Sequence, residues 1–249
     1  MAIYPEMKGK AAIITGGAGG IGFAAAKRLT ENFCSVLIAD VSDTAKDIAV
    51  AELTQSGANA LGYKVDVRDE ESVQGMVDAC IGAYGRIDYL VNSAGIFKSA
   101  PLLEMTMDQW RETIDINLTG TFLCMQKCAR YMIGQKSGNI VNLSSYAAMR
   151  GSVNHAHYCA SKEGVIGLTR AFMKEVALHG IRVNSVAPDI IKTHLTMNRV
   201  NERMGAWMDR IPMKRFGETE ECADLILYLL SDASSYITGQ NLCITGGAI

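Results

Sequence analysis

Ala11-Ala12-Ile13-Ile14-Thr15-Gly16-Gly17-Ala18-Gly19-Gly20-Ile21-Gly22 passes from an apolar, β-prone run through five glycines into a helical pattern. Glycines let a backbone turn sharply and approach a ligand closely. A helix that begins on such a turn presents free N–H groups and a partial positive charge, which suits a phosphate. The spacing of Gly16, Gly20 and Gly22 is Gly-x-x-x-Gly-x-Gly, which differs from the usual Gly-x-Gly-x-x-Gly fingerprint. A plain tight turn could use the same residues, so the surrounding pattern decides.

That pattern repeats along the chain. Apolar, β-prone runs at 11–15, 35–39, 60–65, 88–91, 139–143, 181–186 and 241–244 alternate with helical stretches near 20–31, 43–55, 70–84, 107–133, 157–179 and 219–230. Strands separated by helices make βαβ units with right-handed crossovers and a parallel sheet. The runs are apolar throughout rather than alternating, as a sheet covered on both faces requires. The expected fold is α/β: a doubly wound, seven-stranded parallel sheet with helices on both faces, forming a single domain over 1–249. The long segment at about 188–215 has no clear period, and loops of that length are usually functional.

Asp40 closes the second run, 18 residues after Gly22. A carboxylate there can accept hydrogen bonds from ribose hydroxyls and would repel a 2′-phosphate. No Arg or Lys occupies the glycine turn or positions 41–45. NAD is therefore expected as cofactor rather than NADP, although an aspartate here could also be a helix cap.

Tyr158-Cys159-Ala160-Ser161-Lys162 sets a phenol and an ammonium on one helix face. A close ammonium favours the phenolate and so lowers the phenol's pKa. Such a tyrosine is a general acid/base usable near neutral pH. A packed ring beside a solvated amine has the same spacing.

Composition narrows the remaining classes. The chain has 249 residues, ordinary globular composition and a net charge of −2, with no basic run to suggest a nucleic-acid partner. No stretch approaches the ~20 apolar residues of a membrane span. Neither a signal-peptide core nor a lipidation motif stands out, so a cytoplasmic protein without a membrane partner is expected. Seven cysteines without close CxxC pairs fit reduced thiols. Cys124 and Cys128 read as core. His155, His157 and Cys159 lack an acidic fourth ligand, and no metal site is expected.

Taken together, these residues resemble the short-chain dehydrogenase/reductase family, from Gly9 to Gly247. The resemblance extends the glycine turn, Gly16, Gly17, Gly19, Gly20, Ile21 and Gly22 included, to Asp66-Val67 as an adenine contact. Asn92-Ser93-Ala94-Gly95 corresponds to the family's Asn-Asn-Ala-Gly, with serine at the second position. The family's catalytic serine lies 13 residues before the tyrosine, which selects Ser145 over Ser144. Its helix asparagine matches Asn117. The resemblance implies that Tyr158 exchanges the proton of an alcohol oxygen that Ser145 holds. It implies that Lys162 lowers the pKa of Tyr158 and bonds the nicotinamide ribose, and that Asn117 anchors a water in a proton relay. Pro188, Ile191 and Thr193 would flank the nicotinamide. Two departures stand out: Pro188-Asp189 replaces the family's Pro-Gly, and Thr245-Gly246-Gly247 its Asp-Gly-Gly. Asp189 would be an added carboxylate at the mouth of the site or a new turn residue.

The implied activity is hydride transfer between nicotinamide and a secondary alcohol or ketone. A lid near 189–210 would be basic through Lys192, His194, Arg199 and Arg203, and partly apolar through Met197, Met204, Trp207 and Met208. An alternative is 3-oxoacyl-acyl-carrier-protein reduction, which in the family is generally NADP-linked and uses basic docking residues. Lys136 is retained there, but His179 stands where arginine is common. A non-catalytic nucleotide sensor is a third reading, opposed by the intact Ser/Tyr/Lys/Asn set. The resemblance also implies a homotetramer. The apolar stripe Phe122, Leu123, Met125 and Met132 would first serve the chain's own core.

Overall fold

The computed structural model describes residues 3–194, 196–197 and 208–248. Seven parallel strands form one sheet in the order β3-β2-β1-β4-β5-β6-β7. They are β1 (Ala11–Thr15), β2 (Ser35–Asp40), β3 (Ala60–Lys64), β4 (Tyr89–Asn92), β5 (Gly138–Leu143), β6 (Ile181–Pro188) and β7 (Asn241–Ile244). The order reverses between β1 and β4, and in such sheets the crevice beyond the carboxyl ends of the strands at that point receives ligands.

The register explains the unbroken apolar runs. All five residues of β1 are buried. Ala12 and Ile14 enter one core with α1 (Gly20–Glu31) and α8 (Thr219–Leu230). Ala11 and Ile13 enter the other, beneath α3 (Glu70–Tyr84), α5 (Gly120–Gln135) and α7 (Ala156–Val176). Leu123, Cys124, Met125, Cys128 and Met132 of α5 all lie in this second core, while Phe122 is 41% exposed.

Local signals set the helix ends. Asp69 caps α3, its Oδ1 accepting from the N–H groups of Glu71 and Ser72, and Gly85 ends that helix at φ +72°. Thr106 and Gln109 form a capping box on α4 (Met107–Ile114). The single helix expected over 107–133 is in fact α4, a π turn over Asp115–Thr119, and α5. The helix expected over 157–179 ends at Val176, and Ala177–His179 is a 3₁₀ turn. The sequence pattern missed α6 (Tyr146–Arg150), which is too short to show a period.

Candidate active site

A cleft of about 340 Å³ opens at the carboxyl ends of β1, β4, β5 and β6. Of the residues singled out by sequence, Gly16, Gly19, Gly20, Ile21, Asp40, Ala94 and Gly95 line it on one side. Ser145, Tyr158, Lys162, Pro188, Ile191 and Thr193 line it on the other. Asp66 and Val67 line an adjoining cavity of about 180 Å³ that shares Gly16, Asp40, Ala94 and Gly95 with the cleft. Gly17, Gly22, Asn92 and Asn117 stand behind these walls rather than in them.

The turn itself requires glycine. Gly16 has φ +62°, and a Cβ there would lie 2.8 Å from Ala94 Cα. A Cβ on Gly22 would lie 2.3 Å from the carbonyl oxygen of Gly16. At Gly19, by contrast, nothing lies within 4 Å, so this part of the turn faces open space at the N-terminus of α1. The opening can hold a pyrophosphate against free helix N–H groups. Asp40 sits at the far end. Its Oδ2 accepts from the Ala18 N–H at 3.3 Å and its Oδ1 from the Ser42 N–H at 3.1 Å. Arg68 lines the same adjoining cavity but is paired with Asp66 at 2.6 Å, and that contact holds the Asp66 carboxyl below the usual carboxylate range. The donor set fits a dinucleotide lying from Thr193 to Asp40.

At the other end, Ser145 caps α6, its Oγ accepting from the Ala147 N–H at 3.2 Å. The same side chain lies beside the Tyr158 hydroxyl and acts to lower the phenol's pKa. Ser144 turns away and donates to the Lys162 carbonyl at 2.9 Å, which separates the two serines as the 13-residue spacing does. Phe97 packs edge-on to the Tyr158 ring at 4.6 Å and stacks on His155 at 4.3 Å. Neither contact was legible from spacing.

Lys162 is 5% exposed, and its Nζ donates to the Leu143 carbonyl at 2.7 Å. Burial lowers its pKa to about 8. The Nζ stands 5.9 Å from the centre of the Tyr158 ring. The expected lowering of the phenol is not what the isolated chain shows. Burial raises the Tyr158 pKa, against a smaller opposing effect of the Ser145 hydrogen bond, while Cys159 adds to the rise. The ammonium is spent on a carbonyl instead of the phenol, so desolvation prevails.

Asn117 is fully buried in the π turn. Its Oδ1 accepts from the Ile96 N–H at 2.8 Å, and its Nδ2 donates to the Ile96 carbonyl at 3.0 Å and to Ser161 Oγ at 3.1 Å. Both amide protons are thus engaged, and the side chain ties the loop after β4 to α7. Asn92 Nδ2 likewise donates to Asn142 Oδ1 at 2.8 Å beneath the site. In the lid region Lys192 pairs with Glu218, and His194 and Thr196 line the cleft. Arg199, Arg203, Met204 and Trp207 lie outside the described residues. Asp189, left open by sequence, resolves as a cleft residue paired with Arg150 at 2.8 Å.

The arrangement can hold a carbonyl oxygen between two hydroxyls while a dinucleotide lies along the glycine turn. The chain is similar to known proteins over nearly its whole length. The family described as enoyl-(acyl carrier protein) reductase matches residues 16–248. A 3-oxoacyl-[acyl-carrier-protein] reductase FabG of Thermotoga maritima is 40% identical over 244 residues, covering 98% of this chain and 99% of that protein. A 3-oxoacyl-[acyl-carrier-protein] reductase of Synechocystis is 40% identical over 240 residues, 96% of each chain. The crystal structure of levodione reductase superposes with a TM-score of 0.93 at 35% identity, covering 96% of this chain and 97% of that one.

Proposed function

The chain belongs to the short-chain dehydrogenase/reductase family of oxidoreductases, and within it we propose an NAD(H)-linked enzyme that interconverts a secondary alcohol and a ketone. The observation that carries this reading is one cleft with the Ser145–Tyr158–Lys162 group at one end and the Asp40 carboxylate at the other. The nicotinamide supplies or accepts the hydride when bound. In reduction Tyr158 gives its hydroxyl proton to the substrate oxygen, and in oxidation it takes that proton back. Ser145 donates a hydrogen bond to the same oxygen and holds it in place. Lys162, anchored on Leu143, keeps a positive charge near the phenol that favours the phenolate as the proton leaves. Asn117 fixes the loop after β4 against α7, the two elements that flank this group.

Asp40 supports NAD over NADP because its carboxylate faces the place of the adenosine ribose, where a 2′-phosphate would meet like charge. The test is kcat/KM for cyclic and acyclic ketones with NADH and NADPH. NADH should be preferred by about tenfold or more, since a lost charged hydrogen bond costs roughly 1.5–3 kcal/mol. Asp40→Ala should raise the KM for NADH by about tenfold or more on the same ground and narrow the preference. A tenfold preference for NADPH in the wild type would overturn the assignment.

A second reading, 3-oxoacyl-acyl-carrier-protein reduction, is favoured by the 40% identity to the Thermotoga maritima reductase over nearly both whole chains. Turnover of acetoacetyl thioesters beside simple ketones, under the same cofactor, separates the two.

A homotetramer and a cytoplasmic location complete the proposal. Half-exposed Phe122 on α5 leaves an apolar surface for a second copy, and all seven cysteines are free thiols. Sedimentation as a monomer at micromolar concentration would contradict the tetramer. No helix among the described residues is long and apolar enough to cross a membrane.

A further inference from the structure

Helix α6 has five residues, with Ser145 at its N-cap and Arg150 at its end. So short a helix does not hold its own shape in water. Its position depends on tertiary contacts: Cys159 Sγ donates to the Ala147 carbonyl at 3.2 Å, Asn241 Nδ2 donates to Met149 Sδ at 3.4 Å, and each end is pinned separately. At the first, Ser145 caps the Ala147 N–H and shares the cleft with Tyr158. At the second, the chain reverses at Gly151, with φ +78°. There Arg150 Nη2 donates to Asp189 Oδ1 at 2.8 Å, and the guanidinium lies 5.7 Å from the centre of the Tyr146 ring.

Asp189 is a firm anchor. Its side chain is 5% exposed, and its N–H donates to the Ile244 carbonyl at 2.9 Å, joining it to the end of β7. Burial raises its carboxyl pKa, and Arg150 and then Arg210 oppose that rise. Glycine, the family's usual residue here, could make no such contact, so the link is a property of this chain.

We infer that the Arg150–Asp189 pair is a strut that ties α6 to the sheet and positions Ser145 against Tyr158. Both are therefore positioning residues: the Asp189 carboxylate lies in the cleft wall but is turned to Arg150, and the pair acts through α6. The inference rests on the reading of Ser145 and Tyr158 proposed above. A contact that served folding alone would change the melting temperature and leave kcat untouched.

The test uses the full chain with Arg150→Met, Asp189→Asn, the double variant and Arg150→Lys. Arg150→Met leaves a buried carboxylate uncompensated and is the most prone to misfold, whereas Asp189→Asn removes charge and strut together. Two quantities are read: hydrogen exchange of the amides at 146–151, and steady-state ketone reduction with NADH. In Asp189→Asn those amides should exchange at least about tenfold faster, because a pinned segment has become locally mobile. Its kcat should fall by about 10- to 100-fold with the KM for NADH changed by less than about twofold, as expected when a catalytic group is misplaced. The double variant should be no worse than the worse single one, because both changes break one contact. Arg150→Lys should keep kcat within about threefold, since the charge pairing survives. Unchanged exchange, faster exchange with unchanged kcat, or single effects that multiply in the double variant would each overturn the strut. If the wild type turns over no ketone, the proposed function fails, and exchange alone then decides for or against the strut.

Discussion

Tyr158→Phe should fold, bind NADH and lose ketone turnover by about a thousandfold or more, within the range expected for removing a positioned general acid. The change deletes one oxygen. The ring keeps its edge contact with Phe97 at 4.6 Å, so the wall of the site remains packed. Loss of the hydroxyl should cost at most about 1 kcal/mol of stability. Within the Ser145–Lys162–Asn117 set, no group is placed to replace the lost proton donor. The Ser145 hydroxyl can hydrogen-bond the substrate oxygen but is a far weaker acid than a phenol, the Lys162 ammonium is held on Leu143, and the Asn117 amide is committed to Ile96 and Ser161. Burial keeps the phenol protonated in the isolated chain, which readies it to donate in the direction of reduction. Single-turnover reduction and NADH fluorescence titration measure the two halves separately. Intact binding with near-normal turnover would remove Tyr158 from the mechanism. Loss of both would show that the ring shapes the cofactor site instead.

The fold was legible because its strands are covered on both faces. The first four residues of β1 send alternate side chains into two different cores, and both cores demand apolar residues. The glycine turn was legible because its close approaches admit no side chain, as at Gly16 and Gly22. The Tyr158–Lys162 spacing correctly placed both side chains in the cleft. It could not show where the ammonium points. Capture of Nζ by the Leu143 carbonyl is a contact 19 residues distant in sequence, and burial then raises the phenol's pKa where the spacing alone implied a fall. The π turn at Asp115–Thr119 was equally hidden. Helical periodicity continues across it, while its buried Asn117 is held by tertiary partners on the loop after β4 and on α7. Helix α6 was illegible for a related reason: a cap at Ser145 and an ion pair to Asp189 define it, and neither has a period. Sequence separated Ser145 from Ser144 only through the family spacing. The structure separates them by their partners, the Ala147 N–H for one and the Lys162 carbonyl for the other, and only Ser145 lies with its hydroxyl beside Tyr158.

Lys162→Met should raise stability while abolishing most turnover. The ammonium is 5% exposed and bonded to a single carbonyl, so the chain bears most of the cost of taking a charge out of water. Its pKa falls from 10.5 to about 8 on folding. At about 1.4 kcal/mol per pKa unit, that shift corresponds to an upper bound of about 3.5 kcal/mol. Methionine removes this cost and fills most of the space, but it leaves the Leu143 carbonyl without its donor, which returns roughly 1–2 kcal/mol. The net gain should be about 1–2 kcal/mol, or a rise in Tm of a few degrees for a chain of this size. The pH dependence fixes the origin of the gain. A base whose pKa is lowered on folding binds fewer protons in the native state between the two pKa values, so wild-type stability rises with pH from about 8 to 10.5. Below that window the cost is fully present, and the variant should exceed the wild type most. Through the window the gap should close. Turnover should fall by roughly 10²–10³-fold, as for loss of one preorganised charge beside a developing anion. Thermal melts at pH 7 and pH 9.5, with ketone reduction at pH 7, supply all three readouts. A lower Tm together with lost activity would make Lys162 a prop of the fold. A Tm gain that is constant with pH would trace the stability to packing, and retained turnover would release Lys162 from the reaction altogether. The expected combination, a more stable and inactive chain, would show that the buried charge is kept at this position for chemistry against its cost to the fold.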